Sequence, residues 1–486
     1  MVRYLSSSTQ VAAALIFGAA LLFLFGIPSY GQQPEKLRGS ARKLRGALNP
    51  QRTCYDVHHY ALRVRIFPEE KTLAGQNRIA FTVREQTANL QIDLFKNMQI
   101  DSIHWQGKPL EFSRKHHAVM VHFPTYLEPE TQQHITVWYR GKPKSGLGAH
   151  GDAGFHWEKD KQGRHWVGMM VEHIGASLWY PNKDHLSDEP DSVWLTWEVP
   201  DSLGCLSNGT LERVDTLEAG WIGYNWRVHN PIDNYNITFY LGNYRTRTLP
   251  YRNDTAEHSI KLYVLDYESD ENVLRFFKNL PRMLHFFESI YGEYPFWEDG
   301  LSMIQAPFRG MEHQGCLNIG KDLDRPVELE NWSYPDITSF YSVVAHELAH
   351  EWWGNALSVD DMAEVWLQEG FATYSELLFI EHLHGEEAYL SALGSMYPYI
   401  RNEFTLVGKR DRNANMFRNN DVYYKGALVL HKLREEIADD TVFFRILRTF
   451  QERYRMKTTN TSDLLRLVNE VSGKDYTAFL NNLLYK

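Results

Sequence analysis

The chain has little cysteine, no excess of basic charge and only one long apolar run. Its three cysteines, Cys54, Cys205 and Cys316, are scattered over 486 residues, none in a C-x-x-C spacing. That excludes a disulfide framework and a thiolate metal centre. A single bridge among them stays open, although buried free thiols are the expectation. A formal net charge of −10 repels phosphate backbones. No basic surface interleaved with aromatics stands out either, so nucleic acid is not an expected partner. There is no internal repeat of fixed period.

The one apolar run, Val11 to Ile27, follows Arg3 and ends near the small residues Ser29 and Gly31. This is the pattern of a secretory signal peptide over residues 1–31, favoured over an uncleaved membrane anchor. The mature protein is then expected to be exported, periplasmic or extracellular, and not membrane-spanning. The basic stretch Lys36 to Arg45 makes residues 32–52 read as a flexible, solvated leader. Five Asn-x-Ser/Thr triplets, Asn208 and Asn236 among them, do not fix the compartment, because the triplet arises easily by chance.

From Tyr60 to about Val264 apolar and polar residues alternate, as in Leu62, Val64 and Ile66 against Arg63 and Arg65. Similar runs recur at Arg78–Val83, Leu90–Phe95, Ala118–Phe123, Ile135–Tyr139, Val193–Val199, Tyr224–Val228 and Tyr235–Leu241. Such short strands predict an N-terminal all-β, saddle-like antiparallel domain over residues 53–250, with 141–168 as a long loop or hairpin. Leu301 to Ile304 reads as a further short strand. Helical spacing begins at Val273 to Tyr291, with Pro281 as a kink, and most of the chain after Asp336 also reads as helix. "LPYRND", Leu249 to Asp254, is the expected linker to a second, mainly helical domain over residues 251–486.

The chemistry concentrates in that second half. Asp336 is a plausible N-cap for "ITSFYSVVAHELAHEWW", a helix expected to stop at Gly354. His346 and His350, four residues apart, share one helix face, so two imidazoles can converge on one cation with Glu347 beside them. A second helix, "WLQEGFATYSELLFIEHL", carries Glu369 nineteen residues after His350. Two histidines and a glutamate leave a fourth position open, as a catalytic zinc site requires. Glu376, further along the same face, either orients a ligating histidine or makes an exposed salt bridge.

"HELAHEWWGN" followed by "WLQEGFATY" resembles the gluzincin metallopeptidases, and in particular the aminopeptidase N family. "GMEHQG" stands where that family carries a Gly-x-Met-Glu-Asn motif, and "ASLWYPNKDHLSDEPDS" and "LSNGTL" resemble its N-terminal domain. The resemblance implies a thermolysin-like catalytic domain with a small sheet and one zinc ion per chain, held by His346, His350 and Glu369. It implies Glu347 as general base and Tyr423, in "VYYKGALVL", as the phenol that stabilises an oxyanion; Tyr424 beside it reads as packing. It further implies Glu312 and Glu172 as the groups that hold a substrate's α-ammonium, with Gly310 and Met311 as an extended edge along the substrate.

Two residues depart from the family motif: Arg309 precedes Gly310, and His313 stands in place of asparagine. His313 as an additional metal ligand is disfavoured, because it would close the open position. Larger relatives continue with a domain that covers the site, whereas this sequence stops at Lys486. The site is therefore expected to be more open, or covered by a second copy in a homo-oligomer. The implied activity is a zinc aminopeptidase acting on peptides with a free N-terminus. A thermolysin-like endopeptidase with an open cleft and a catalytically silent peptide-binding scaffold are the rival readings, with an epoxide hydrolase a weaker third.

Overall fold

A computed structural model describes residues 44–147, 153–323, 340–412 and 415–486. The expected signal peptide, most of the leader and the N-cap expected at Asp336 lie outside these residues. No helix among the described residues is long and apolar enough to cross a membrane.

The alternating runs of the first half become strands. Tyr55–Phe67, Thr72–Val83, Gln132–Gly141 and Met98–Trp105 follow one another antiparallel at the centre of an eight-stranded sheet. Val64, Ile66, Ile79, Phe81, Ile135 and Val137 are buried from one strand to the next. This is the one-faced burial that period-two alternation dictates. Ser192–Pro200 joins the other side of Tyr55–Phe67 in parallel, with Val64 opposite Trp197, so the expected antiparallel sheet has one exception. A parallel pair needs a long connection, and here the chain forms the neighbouring strands of this sheet and strands of smaller sheets before returning. One of these carries the hairpin Gly154–Lys159 and His165–Met170, within the stretch read as loop or hairpin.

Three expectations are corrected. The leader is docked, not solvated, from residue 44 onward. Arg52 is fully buried and ion-paired to Asp93 at 2.5 Å, and Arg45 pairs with Asp184 at 3.6 Å. Arg45 and Arg52 look solvated in sequence because their acidic partners lie far along the chain. The linker at Leu249–Asp254 is instead the end of strand Tyr244–Arg252 and its turn into Glu257–Leu265, where Asn253 Oδ1 accepts from the backbone N–H of Thr255 and Ala256. Asn and Asp punctuate hairpins as readily as linkers. Pro281 does not kink one helix. It opens the second of two, Asp270–Phe277 and Leu280–Tyr291, in the first turn, where its missing N–H costs nothing.

The hairpin 244–265 continues, in parallel, into Leu301–Ile304 and Cys316–Asn318. This small sheet packs with the helices Phe340–Ala349, Trp366–His384, Asp421–Ile437 and Asp440–Tyr454 around one apolar core. All three cysteines are buried and free.

Candidate active site

The site lies where the small sheet, three helices and the β half meet. The helix bearing His346 runs from Phe340 to Ala349 and buries Val344, Ala345, Leu348 and Ala349. It ends four residues earlier than expected. Glu351 N–H and Trp352 N–H donate to the carbonyls of Leu348 and Ala349, a tightened last turn that delivers Trp352 and Trp353 into the core. Gly354, at φ 125°, then reverses the chain. The helix Trp366–His384 brings Glu369 up in its first turn. It crosses Asp421–Ile437 at a glycine pair: a β-carbon on Gly370 would lie 2.8 Å from the Cα of Gly426. That close crossing carries Tyr423 to the same place.

His346, His350 and Glu369 converge there. The two Nε2 atoms are 3.1 Å apart, and they lie 3.2 and 3.4 Å from Oε2 of Glu369. The other nitrogen of each ring is already engaged, since His346 Nδ1–H donates to Glu376 at 2.9 Å and His350 Nδ1–H to the carbonyl of Trp353 at 2.8 Å. Both rings therefore turn an unprotonated Nε2 inward, the arrangement that outer acceptors impose on metal-binding histidines. Three donor atoms around one point, with no hydrogen to share between the facing nitrogens, fit a zinc ion.

A second convergence overlaps the first. Glu312, Glu347 and His350 each bring a ligand-type atom within 4.8 Å of the others. Burial pushes the Glu347 carboxyl up to about 8. Gly310 lies flat against it, and a β-carbon there would stand 2.1 Å from Glu347 Oε1 and 2.8 Å from Val343. The backbone of the GMEHQG segment is fastened from behind. Asn355 Nδ2 donates to the Glu312 carbonyl at 2.9 Å, and Gly315 N–H to Glu351 Oε1 at 2.9 Å. Met311 exchanges backbone hydrogen bonds with Asn318, but its side chain is buried in the apolar core of the β half, so it offers the site only an edge. Arg309 is exposed. His313 is fully buried against the Tyr240 hydroxyl, away from the metal donors.

Glu172 arrives from the β half, just after strand His165–Met170. It is buried, and burial with the nearby Glu312 pushes its carboxyl up to about 8. Tyr423, near the start of its helix, stacks obliquely 6.0 Å from the His346 ring. Burial, then Glu369, Glu172, Glu312 and Glu347, keep it a neutral phenol well above its ordinary range. Tyr424 packs against the helical core.

The structure thus assembles every candidate side chain except that of Met311. Sequence reasoning missed Asn355, Glu351 and Asn236. Asn355 closes the HELAHEWWGN stretch and was visible there; Asn236 reads as a glycosylation triplet. In the fold Asn236 is buried and donates from Nδ2 to Asn355 Oδ1 at 2.7 Å, and Asn208 is buried with Nδ2 on the carbonyl of Gln314 at 2.9 Å. Neither is a surface acceptor.

Residues 276–483 match the peptidase family M1 domain and residues 56–235 the peptidase M1 N-terminal domain. Among curated relatives, Aminopeptidase 2 of Candida albicans is 22% identical over 86% of this chain and 46% of its own. Glutamyl aminopeptidase of Sus scrofa is 22% identical over 85% of this chain and 45% of its own. The chain thus spans less than half the length of these two relatives. A mutant M1 zinc metallopeptidase from Deinococcus radiodurans, bound to a Tyr-Ser-Ala substrate, shares the fold with a TM-score of 0.72 at 22% identity, covering 94% of this chain and 96% of that one. With both halves matched in order and the motif residues gathered at their junction, the chain belongs to peptidase family M1.

Proposed function

We propose that this chain is a zinc aminopeptidase that removes N-terminal residues from peptides with a free α-amine, with export as the expected setting. The observation that carries the reading is the overlap of the two convergences. The proposed metal donors His346, His350 and Glu369 share His350 with the group formed by Glu312 and Glu347, so a carboxylate able to anchor an amine stands beside the metal donors.

When bound to His346, His350 and Glu369, zinc supplies Lewis acidity and lowers the pKa of water. The chain's own residues do the rest. Glu312 and Glu172 hold the substrate ammonium by charge-assisted hydrogen bonds in a buried setting. Glu347 takes a proton from the attacking water and returns it to the leaving amine. Tyr423, kept neutral, donates its hydroxyl hydrogen to the oxygen on which negative charge develops. Gly310 and Met311 line up the substrate backbone, and Glu376 fixes the tautomer of His346.

The test is turnover of a panel of amino-acid arylamides, with and without a chelator, beside the Glu347→Gln variant. Chelation is expected to abolish turnover and zinc to restore it, and N-acetylated substrates are expected to stay uncut. Internal cleavage of a blocked peptide would overturn the exopeptidase reading in favour of an endopeptidase. A zinc-loaded protein inactive on every arylamide would point to a scaffold.

A further inference from the structure

The two oxygens of Glu172 have different surroundings. Oε2 lies 2.9 Å from Nε2 of the adjacent His173, whereas Oε1 is buried without a partner. Neighbouring side chains on a strand point to opposite faces. Here a turn intervenes: the backbone N–H groups of Ile174 and Gly175 both donate to the Val171 carbonyl, folding Glu172 and His173 onto each other. The His173 ring is itself fixed. It stacks on Phe417 with centroids 3.7 Å apart and planes 25° from parallel. Phe417 in turn lies 6.2 Å from the Tyr423 ring, in a small apolar cluster with Val365, Met416 and Val422.

A buried carboxylate oxygen with no hydrogen bond is costly unless something arrives to fill it. The unoccupied oxygen is the one not held by His173. We propose that His173 is a positioning residue: it holds Glu172 by Oε2 so that Oε1 is presented to the substrate ammonium, and its stack on Phe417 keeps that oxygen in register with Tyr423. This rests on the aminopeptidase reading. Electrostatics agree with the geometry, because burial and Glu312 favour a neutral Glu172 while His173 favours the ionised form that an ammonium needs. The Phe417 contact joins the amine end of the site to the oxyanion end through side chains from distant parts of the chain. No motif spacing could have revealed it.

The experiment is a steady-state comparison, on leucine 4-nitroanilide with the zinc-loaded full chain, of wild type, His173→Ala, His173→Gln, Glu172→Ala and the double Ala variant. Removing His173 is expected to raise KM about tenfold, the worth of one charge-assisted hydrogen bond, with kcat changed less than about threefold. His173→Gln, whose side-chain N–H can take the place of Nε2–H, is expected to restore most of the KM. In the Glu172→Ala background the second substitution should add nothing. An unchanged KM in His173→Ala, or an equal rise with Glu172 already removed, overturns the proposal. Should His173→Ala unfold more readily, Phe417→Leu replaces it. That variant keeps the hydrogen bond and loses the stack; a raised KM is expected and an unchanged one overturns the link to Phe417. A wild type inactive on every arylamide of the panel overturns the aminopeptidase reading and this inference with it, whereas an active wild type with unchanged KM in His173→Ala overturns this inference alone.

Discussion

Gly310 is a glycine because the carboxylate of Glu347 occupies the space a β-carbon would need. Gly310→Ala is therefore expected to displace Glu347, the proposed base, while leaving the metal donors in place. A shift of about 1 Å costs on the order of 10²-fold in rate, to be read as kcat on an arylamide with zinc content unchanged. His313, two residues beyond Met311, acts on stability. Burial pushes its imidazole down to about 3, so the folded protein keeps it neutral while the unfolded chain protonates it below the ordinary value of 6.5. Its contribution is fully present above pH 6.5 and is lost as pH falls from there towards 3. Denaturant unfolding at pH 7.5 and 5.5 is expected to show wild type losing about 1 kcal/mol more than His313→Gln over that interval. The glycine could be read from its motif; the burial of His313 could not, because the Tyr240 hydroxyl that faces it lies far away in sequence.

At the scale of elements, the glycine pair Gly370 and Gly426 sets the distance between the helix of Glu369 and the helix of Tyr423. A methyl group on either must push the two backbones apart, since the contact it meets is main chain and cannot rotate away. Gly426→Ala is expected to destabilise by roughly 1–3 kcal/mol, as overpacking does, and to lower kcat through Tyr423; a thermal melt beside the kinetics checks both. The strand-rich first half and the helical second half were legible from periodicity. What periodicity could not give was where elements stop. The helix of His346 ends at Ala349 because two tryptophans must turn into the core, and the supposed leader is held by Asp93 and Asp184, carboxylates supplied by later parts of the chain.

For the whole molecule, the β half does more than scaffold. Through Asn236, Asn355 and the Glu312 carbonyl it holds the segment of Glu312, and through Glu172 it supplies a second buried carboxylate, the pair proposed to anchor the amine. Asn236→Ala breaks the first link alone. It is expected to raise KM several-fold, the effect of about 1 kcal/mol, with zinc stoichiometry unchanged by elemental analysis. The metal donors were readable because they sit within one short stretch of sequence. The fastening of the anchor to them was not, because its partners lie 119 and 43 residues from Asn355.

The contact between Gly310 and Glu347 also decides how such an enzyme goes wrong. On the proposed reading, the segment that sets the cutting position touches the group that activates the water, so a displacement large enough to admit the second peptide bond is expected to push Glu347 aside as well. A misregistered complex is then expected to stay uncut, with fidelity to a single residue following from packing alone.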